Sequence, residues 1–212
     1  MNQKRDYFDT SPDIEQILTE SSSLEELLYI KDLRQRKLFL DTEISQIEVS
    51  AIAHHILQYN CDDKGLPPEK RKPILLYLVS NGGDVNAGFE LIDIISKSKT
   101  PVYTINLGYW YSMGFLIGIA GHKRFATPNA KILMHDGSYF VYNSVSKAQD
   151  QMRFQQKVEE RIKDFVISRS NLTEEEYNGK YSSEWYLFAE DAKEKGFIDS
   201  IIGVDCDIDD IV

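Results

Sequence analysis

Three kinds of residue in this sequence could do chemistry together. Ser112 lies in "GYWYSMGFLIGIAG", between three bulky aromatics and a glycine-punctuated apolar run. Gly82 and Gly83 lie in "SNGGDVNAG", directly after the apolar stretch "ILLYLV". His135 closes "AKILMH". A serine at a strand–helix junction can hold its hydroxyl exposed near a helix N-terminus, where free backbone N–H groups stabilise an oxyanion. It can equally be an N-cap or a small residue that permits close packing. A glycine pair before a helix lets the backbone approach a ligand, or simply makes a tight turn. It is not a phosphate loop, because the Gly-Lys-Ser ending is absent. Of the four histidines, His54 and His55 fall in an amphipathic stretch and His122 in a polar turn. Only His135 ends an apolar strand, where an imidazole can be aimed at a pocket. A nucleophile, a base and a glycine pair at successive strand ends have the arrangement that serine acyl transfer needs.

The elements that must position them are set by hydrophobic period. "LFL" and "ILLYLV" read as strands, "EISQIEVSAIAHHILQY" as a helix, and "CDDKGLPPEKRKP" as a loop. "DVNAGFELIDIISKS" sets Val85, Phe89, Ile92 and Ile95 on one helical face. "VYTINLG" is a strand, "YSMGFLIGIAG" a helix, and "RFATPNAKILMH" a strand pair broken at Pro128. This β-α-β-α order predicts an α/β fold with a largely parallel sheet. "SKAQDQMRFQQKVEERIKDFVISRS" reads as one long helix with Ser146 as its N-cap. Thr173 and Glu176 have capping-box spacing, "AEDAKEKG" is a short helix that Gly196 can end, and "FIDSII" is a final strand. The expected organisation is an N-terminal arm over 1–35, weakly helical in "SLEELLYIKDL", a domain over 36–203, and a loose acidic tail over 204–212, which contains "DCDIDDIV".

Composition narrows the function classes. The 212-residue chain carries a net charge of -10, which argues against binding a phosphate backbone. No nucleic-acid partner is therefore expected. Cys61 and Cys206 fit no metal spacing and read as reduced thiols. The N-terminal stretch shows no apolar signal region, and "ILLYLV" is too short to span a bilayer. The expectation is a soluble, cytoplasmic protein with no membrane partner.

The segments "RKLFLDTEI", "YLVSNGGDVNAG", "YSMGFLIGIAG", "KRFATPNAKILMH" and "AEDAKEKGFID" stand in the order seen in ClpP, the proteolytic subunit family of the Clp protease. The chain resembles that family from Arg36 to Ile202. The resemblance implies a crotonase-like head of stacked β-β-α units with the long helix as a handle. It implies a serine endopeptidase with Ser112 as nucleophile, His135 as base and Glu184 at the position of the acid. Its oxyanion donors are the N–H groups of Gly83 and Met113. It implies self-assembly into seven-membered rings that stack in pairs, a tetradecamer. Outside them an ATP-driven Clp unfoldase docks and feeds in unfolded polypeptides. ATP acts on that partner, so no cofactor and no metal are implied here. The docking pockets fall on Leu75, Tyr77, Ile105, Leu107 and Phe125, which read equally well as strand core.

Three departures stand out. Asn81 replaces the family's proline before the glycine pair. "DGSYFVYNS" replaces a glycine-rich groove segment and brings in Tyr139, Phe140 and Tyr142. The acid is Glu184 after Ser183, rather than an aspartate after an arginine. A second reading is therefore a catalytically weak ring subunit beside an active paralogue. An acyl-CoA enzyme on the related fold would leave Ser112 and His135 idle. A serine–lysine peptidase would need a lysine where His135 stands.

Overall fold

The computed structural model describes residues 23–212. They divide between two compact units, with the boundary between Lys37 and Leu38. In the first, Leu24–Arg34 forms helix α1, started by the Ser23 hydroxyl, which accepts the Glu26 N–H at 3.2 Å. None of its residues is buried. The rest of the expected arm, before residue 23, lies outside the described residues.

The second unit is an α/β structure built on one sheet. Its strands are β1 (Lys37–Leu40, whose first residue is the last of the first unit), β2 (Ile74–Ser80), β3 (Val102–Tyr111), β4 (Lys123–Ala126), β5 (Lys131–Met134), β6 (Trp185–Phe188) and β7 (Ser200–Ile201). They run in the order β1-β2-β3-β4-β7, with β5 beside β3 and β6 beside β5. Pairings of β2 with β3, of β3 with β4 and β5, and of β4 with β7 are parallel; only β5–β6 is antiparallel. The α/β fold and the parallel sheet are as the β-α-β-α order predicts.

The helices are α2 (Gln46–Asp62), α3 (Val85–Lys97), α4 (Met113–Ile119), α5 (Val145–Ser168), α6 (Glu174–Tyr181) and α7 (Ala189–Glu194). Short polar side chains start three of them, by accepting an N–H of the first turn. They are Ser45 on α2, Asp84 on α3 and Thr173 on α6, the last as a full capping box with Glu176. The buried face of α3 is Ala87, Gly88, Leu91, Ile92 and Ile95, so Val85 and Phe89 sit at its edge. The cap of α5 is Ser144, not Ser146, and its side chain makes no bond to the helix. Only Val166 of that long helix is buried; Met152 and Phe154 stay exposed.

One irregularity decides where the chemistry sits. β3 pairs with β4 over Tyr103–Asn106 and with β5 over Tyr109–Tyr111. Between those stretches its register with β2 slips, from Leu78↔Asn106 to Ser80↔Trp110. Such a bulge bends a strand and re-aims the residues beyond it. Buried side chains replace the missing ladder bonds. The Asn106 amide donates to the Lys131 carbonyl and accepts the Gly108 N–H, both at 3.0 Å, and the Trp110 indole donates to the Leu78 carbonyl at 3.0 Å. β3 therefore carries its last residues away from β4 and toward β5.

The acidic tail departs from expectation. After β7 the chain turns at Gly203, forms a short 3₁₀ turn at Ile208–Asp210, and buries Ile211 to 2% exposure. The cause lies in β2, which is apolar on both faces and needs cover on both. Thr104, opposite Leu76 on β3, donates to the Gly118 carbonyl of α4, so that face is closed by helix. Leu75, Tyr77, Ile105 and Phe125 form a cluster on the other face with Ile202 and Ile211.

Candidate active site

Ser112 stands at the junction of β3 and α4. Its backbone has φ 54° and ψ −122°, one of two non-glycine residues with positive φ among the described residues. L-residues seldom adopt that conformation, and it is a known way of presenting a nucleophile on a sharp strand-to-helix turn. The Ser112 side chain makes no cap bond to α4. The capping reading of this serine therefore finds no support, and the hydroxyl is left for other work. The Ser112 N–H donates to the Leu133 carbonyl at 3.1 Å, which ties the turn to β5 two residues before His135.

The glycine pair packs against this turn. Gly82 has φ +100°, and a Cβ there would lie 2.7 Å from the Ser112 Cβ and 3.0 Å from the Met113 nitrogen. Any larger residue would push the serine out of place. Gly83, at φ +147°, bridges to Ile44. The bridge uses the Gly82 carbonyl, which accepts the Ile44 N–H, and the Asp84 N–H, which donates to the Ile44 carbonyl, both at 2.8 Å. In that parallel pattern the Gly83 N–H stays outside the bridge. Ser80 fixes the turn from below: its hydroxyl donates to the Thr42 carbonyl and accepts the Gly82 N–H. Asn81 between them is exposed, and the bonds made by Ser80 and Gly82 do not involve its side chain.

Ser112 and His135 line one cavity of about 50 Å³, together with Met113, Val85, Tyr177 and Tyr181. A roomier surface hollow of about 570 Å³, lined by Ile56, Lys64 and Lys97, contains no nucleophile–base pair. Within the small cavity His135 Nε2 and the Tyr177 hydroxyl are buried, and neither has a hydrogen-bond partner among the described residues. Burial first, then the neighbouring Tyr181, pushes the Tyr177 hydroxyl well above the usual tyrosine range, so it is a neutral donor. Tyr181, stacked on Tyr177 at 5.0 Å, is shifted the same way by burial and by the charges of Glu159 and Asp136. The motif reading missed both tyrosines. Their helix was legible from its capping box, but its packing over the cavity depends on tertiary contacts.

Glu184 lies just before β6. The β5–β6 pairs run from Lys131↔Phe188 to Met134↔Trp185. One more step in that register sets Glu184 opposite His135, where side chains share a face. The Glu184 carboxylate is exposed, lies outside the cavity lining, and accepts the Tyr186 hydroxyl at 3.0 Å. That bond raises the Tyr186 hydroxyl above its ordinary pKa.

The residues expected to dock a partner separate. Leu75, Tyr77, Ile105 and Phe125 share the buried cluster on the sheet face opposite α4, whereas Leu107 is 45% exposed and stands apart from it.

A protein-family model for Clp protease matches residues 22–205, a span that holds every residue of this site. The chain belongs to the Clp protease family. It is 30% identical over 197 residues to the ATP-dependent Clp protease proteolytic subunit 1 of Streptomyces avermitilis, covering 91% of this chain and 87% of that protein. A Clp protease is a peptidase. No helix among the described residues is long and apolar enough to cross a membrane.

Proposed function

We propose that this Clp protease family member is a serine endopeptidase subunit that hydrolyses unfolded polypeptides. The observation that carries the reading is Ser112 held at positive φ on a strand–helix turn, in one cavity with His135 and against the Gly82–Gly83 turn. Ser112 Oγ attacks the peptide carbonyl carbon while His135 Nε2 takes its proton. The N–H groups of Gly83 and Met113 hold the resulting oxyanion, a contribution of about 10²–10³-fold per donor. His135 then protonates the leaving amine, and water releases the acyl group by the same route. Glu184 is the acid that orients His135, once its carboxylate leaves Tyr186.

The exposed apolar residues of the handle, Val145, Met152 and Phe154, with Phe140 and Tyr142 before it, call for cover by further copies of the chain. A seven-membered ring, stacked in pairs, supplies it. An ATP-driven unfoldase docks at the outer sheet face around Leu75, Tyr77, Ile105 and Phe125, and ATP acts there rather than on this chain. A cytoplasmic, soluble enzyme without a cofactor or metal of its own is the setting.

A specific observation favours a second reading, that of a weakly active ring subunit. His135 Nε2 has no partner among the described residues, and Glu184 is engaged elsewhere. A fluorophosphonate probe separates the two, because it labels only an activated serine. Labelling of the native chain but not of Ser112→Ala, together with peptide hydrolysis, supports the enzyme. An unlabelled native assembly supports the regulator. Native mass spectrometry of the same sample reads the ring size.

A further inference from the structure

The sheet face opposite α4 is closed by one short segment, and that segment is weakly held. Asp205 anchors its root: the carboxylate pairs with Lys193 at 2.5 Å and accepts the Ile201 N–H at 2.7 Å. The Gly203 N–H donates to the Cys206 carbonyl at 2.7 Å, and Ile202 bridges to Cys206. Beyond Asp207 only Ile211 is inserted. Its side chain joins Leu75, Tyr77, Ile105 and Phe125, and its carbonyl accepts the Tyr77 hydroxyl at 3.0 Å. Ile208, Asp209, Asp210 and Val212 are all exposed. One buried aliphatic group and one hydrogen bond work against the ordering of the whole segment, so its held and released forms lie close in free energy. Phe39, stacked on Tyr77 at 4.8 Å and half exposed, gives the socket an aromatic lip.

We infer that Leu75, Tyr77, Ile105 and Phe125 form a peptide socket whose resident ligand is the chain's own segment 207–212. A partner takes the socket only by displacing Ile211. The resident ligand defines what such a partner presents: an aliphatic side chain for the socket and a backbone carbonyl for the Tyr77 hydroxyl. The tail is thus a built-in competitor for the docking face. The inference rests on the docking face proposed above but uses neither the chemistry of Ser112 nor an unfoldase.

The test is fluorescence anisotropy with a fluorescein-labelled peptide of the sequence DIDDIV, identical to residues 207–212. Three proteins are compared: the full chain, a chain ending at Asp207, and the full chain with Ile211→Asp. A tethered competitor acts at millimolar effective concentration, so both altered proteins should bind the peptide at least ~10-fold more tightly than the full chain. Tyr77→Phe in the shortened chain should weaken that binding about 5-fold. Equal binding by all three proteins overturns the inference. So does absence of binding by a shortened chain whose circular dichroism and melting match the full chain. Unfolding of both altered proteins overturns it as well, since Ile211 would then be indispensable core. Failure of the docking proposal alone reads differently: the peptide binds the shortened chain, and an unfoldase binds regardless of Tyr77.

Discussion

His135 and Glu184 are the next pair in register beyond the end of the β5–β6 ladder, yet the Glu184 carboxylate is spent on the Tyr186 hydroxyl at 3.0 Å. The backbone thus offers the acid to the base, and a tyrosine two residues on competes for it. Tyr186→Phe should raise peptide turnover by freeing the carboxylate. Glu184→Gln should lower it at every pH, because a neutral amide cannot stabilise the imidazolium formed during attack. Steady-state kinetics of both variants decide the matter. If Glu184→Gln turns over like the native chain, Glu184 is not the third member.

Ser112 carries the strain of its turn. A non-glycine residue in such a region costs about 1–3 kcal/mol, which glycine does not incur. Ser112→Gly should therefore melt a few degrees above Ser112→Ala, at roughly 2–4 °C per kcal/mol for a domain of this size. Both should lose at least ~10³-fold in peptide turnover. Equal melting temperatures for the two variants would remove strain from the account of this site.

Asn106 holds the bulge that turns β3 toward β5. Its fully buried amide serves the Lys131 carbonyl and the Gly108 N–H. Asn106→Leu keeps the volume and strands both groups, at about 1–3 kcal/mol for each buried unsatisfied partner. Urea unfolding should show a loss of roughly 2–6 kcal/mol if both stay unsatisfied. Because β5 leads to His135, the folded variant should also react more slowly with a fluorophosphonate. A variant as reactive and as stable as the native chain would show that the bulge is held by Trp110 alone.

Much of this was legible in the sequence, and the rest failed for physical reasons. Periods of two and 3.6 mark most of the strands and helices, and the Thr173–Glu176 box marks α6, because those signals are local. The glycine pair, Ser112 and His135 could be picked out because each sits at an element boundary. The Asn106 bulge could not, since nothing local distinguishes a buried strand asparagine from an exposed one. Nothing local marks Tyr177 and Tyr181 as cavity residues, and only the packing of α6 over the cavity makes them so. The acidic tail misled most. Its composition favours solvent, while the reason it folds back is the uncovered face of β2, 134 residues away at the Tyr77–Ile211 bond.

The tail's root should respond to acid. Asp205 is held below the usual carboxylate range, first by its hydrogen bond from Lys193 and then by the Ile201 N–H. A carboxyl whose folded value is depressed contributes its stabilisation above the unfolded value, near 3.9, and loses it as pH falls through the lowered folded value. The root is therefore fastened at neutral pH and loosens below about pH 4. Hydrogen exchange at the Ile201 amide reads this directly. Corrected for intrinsic rates, protection should be constant from about pH 5 to 8, above the ordinary carboxylate range, and fall in acid. Asp205→Asn should exchange faster at neutral pH and lose the acid-dependent fall. It should also raise the affinity of the full chain for the DIDDIV peptide, because a looser root lowers the effective concentration of Ile211 at the socket. High salt should weaken only the Lys193 share, which is screened, and leave the Ile201 bond. Identical protection and identical peptide affinity in Asp205→Asn would show that the segment is held by Ile211 and Tyr77 without help from its root.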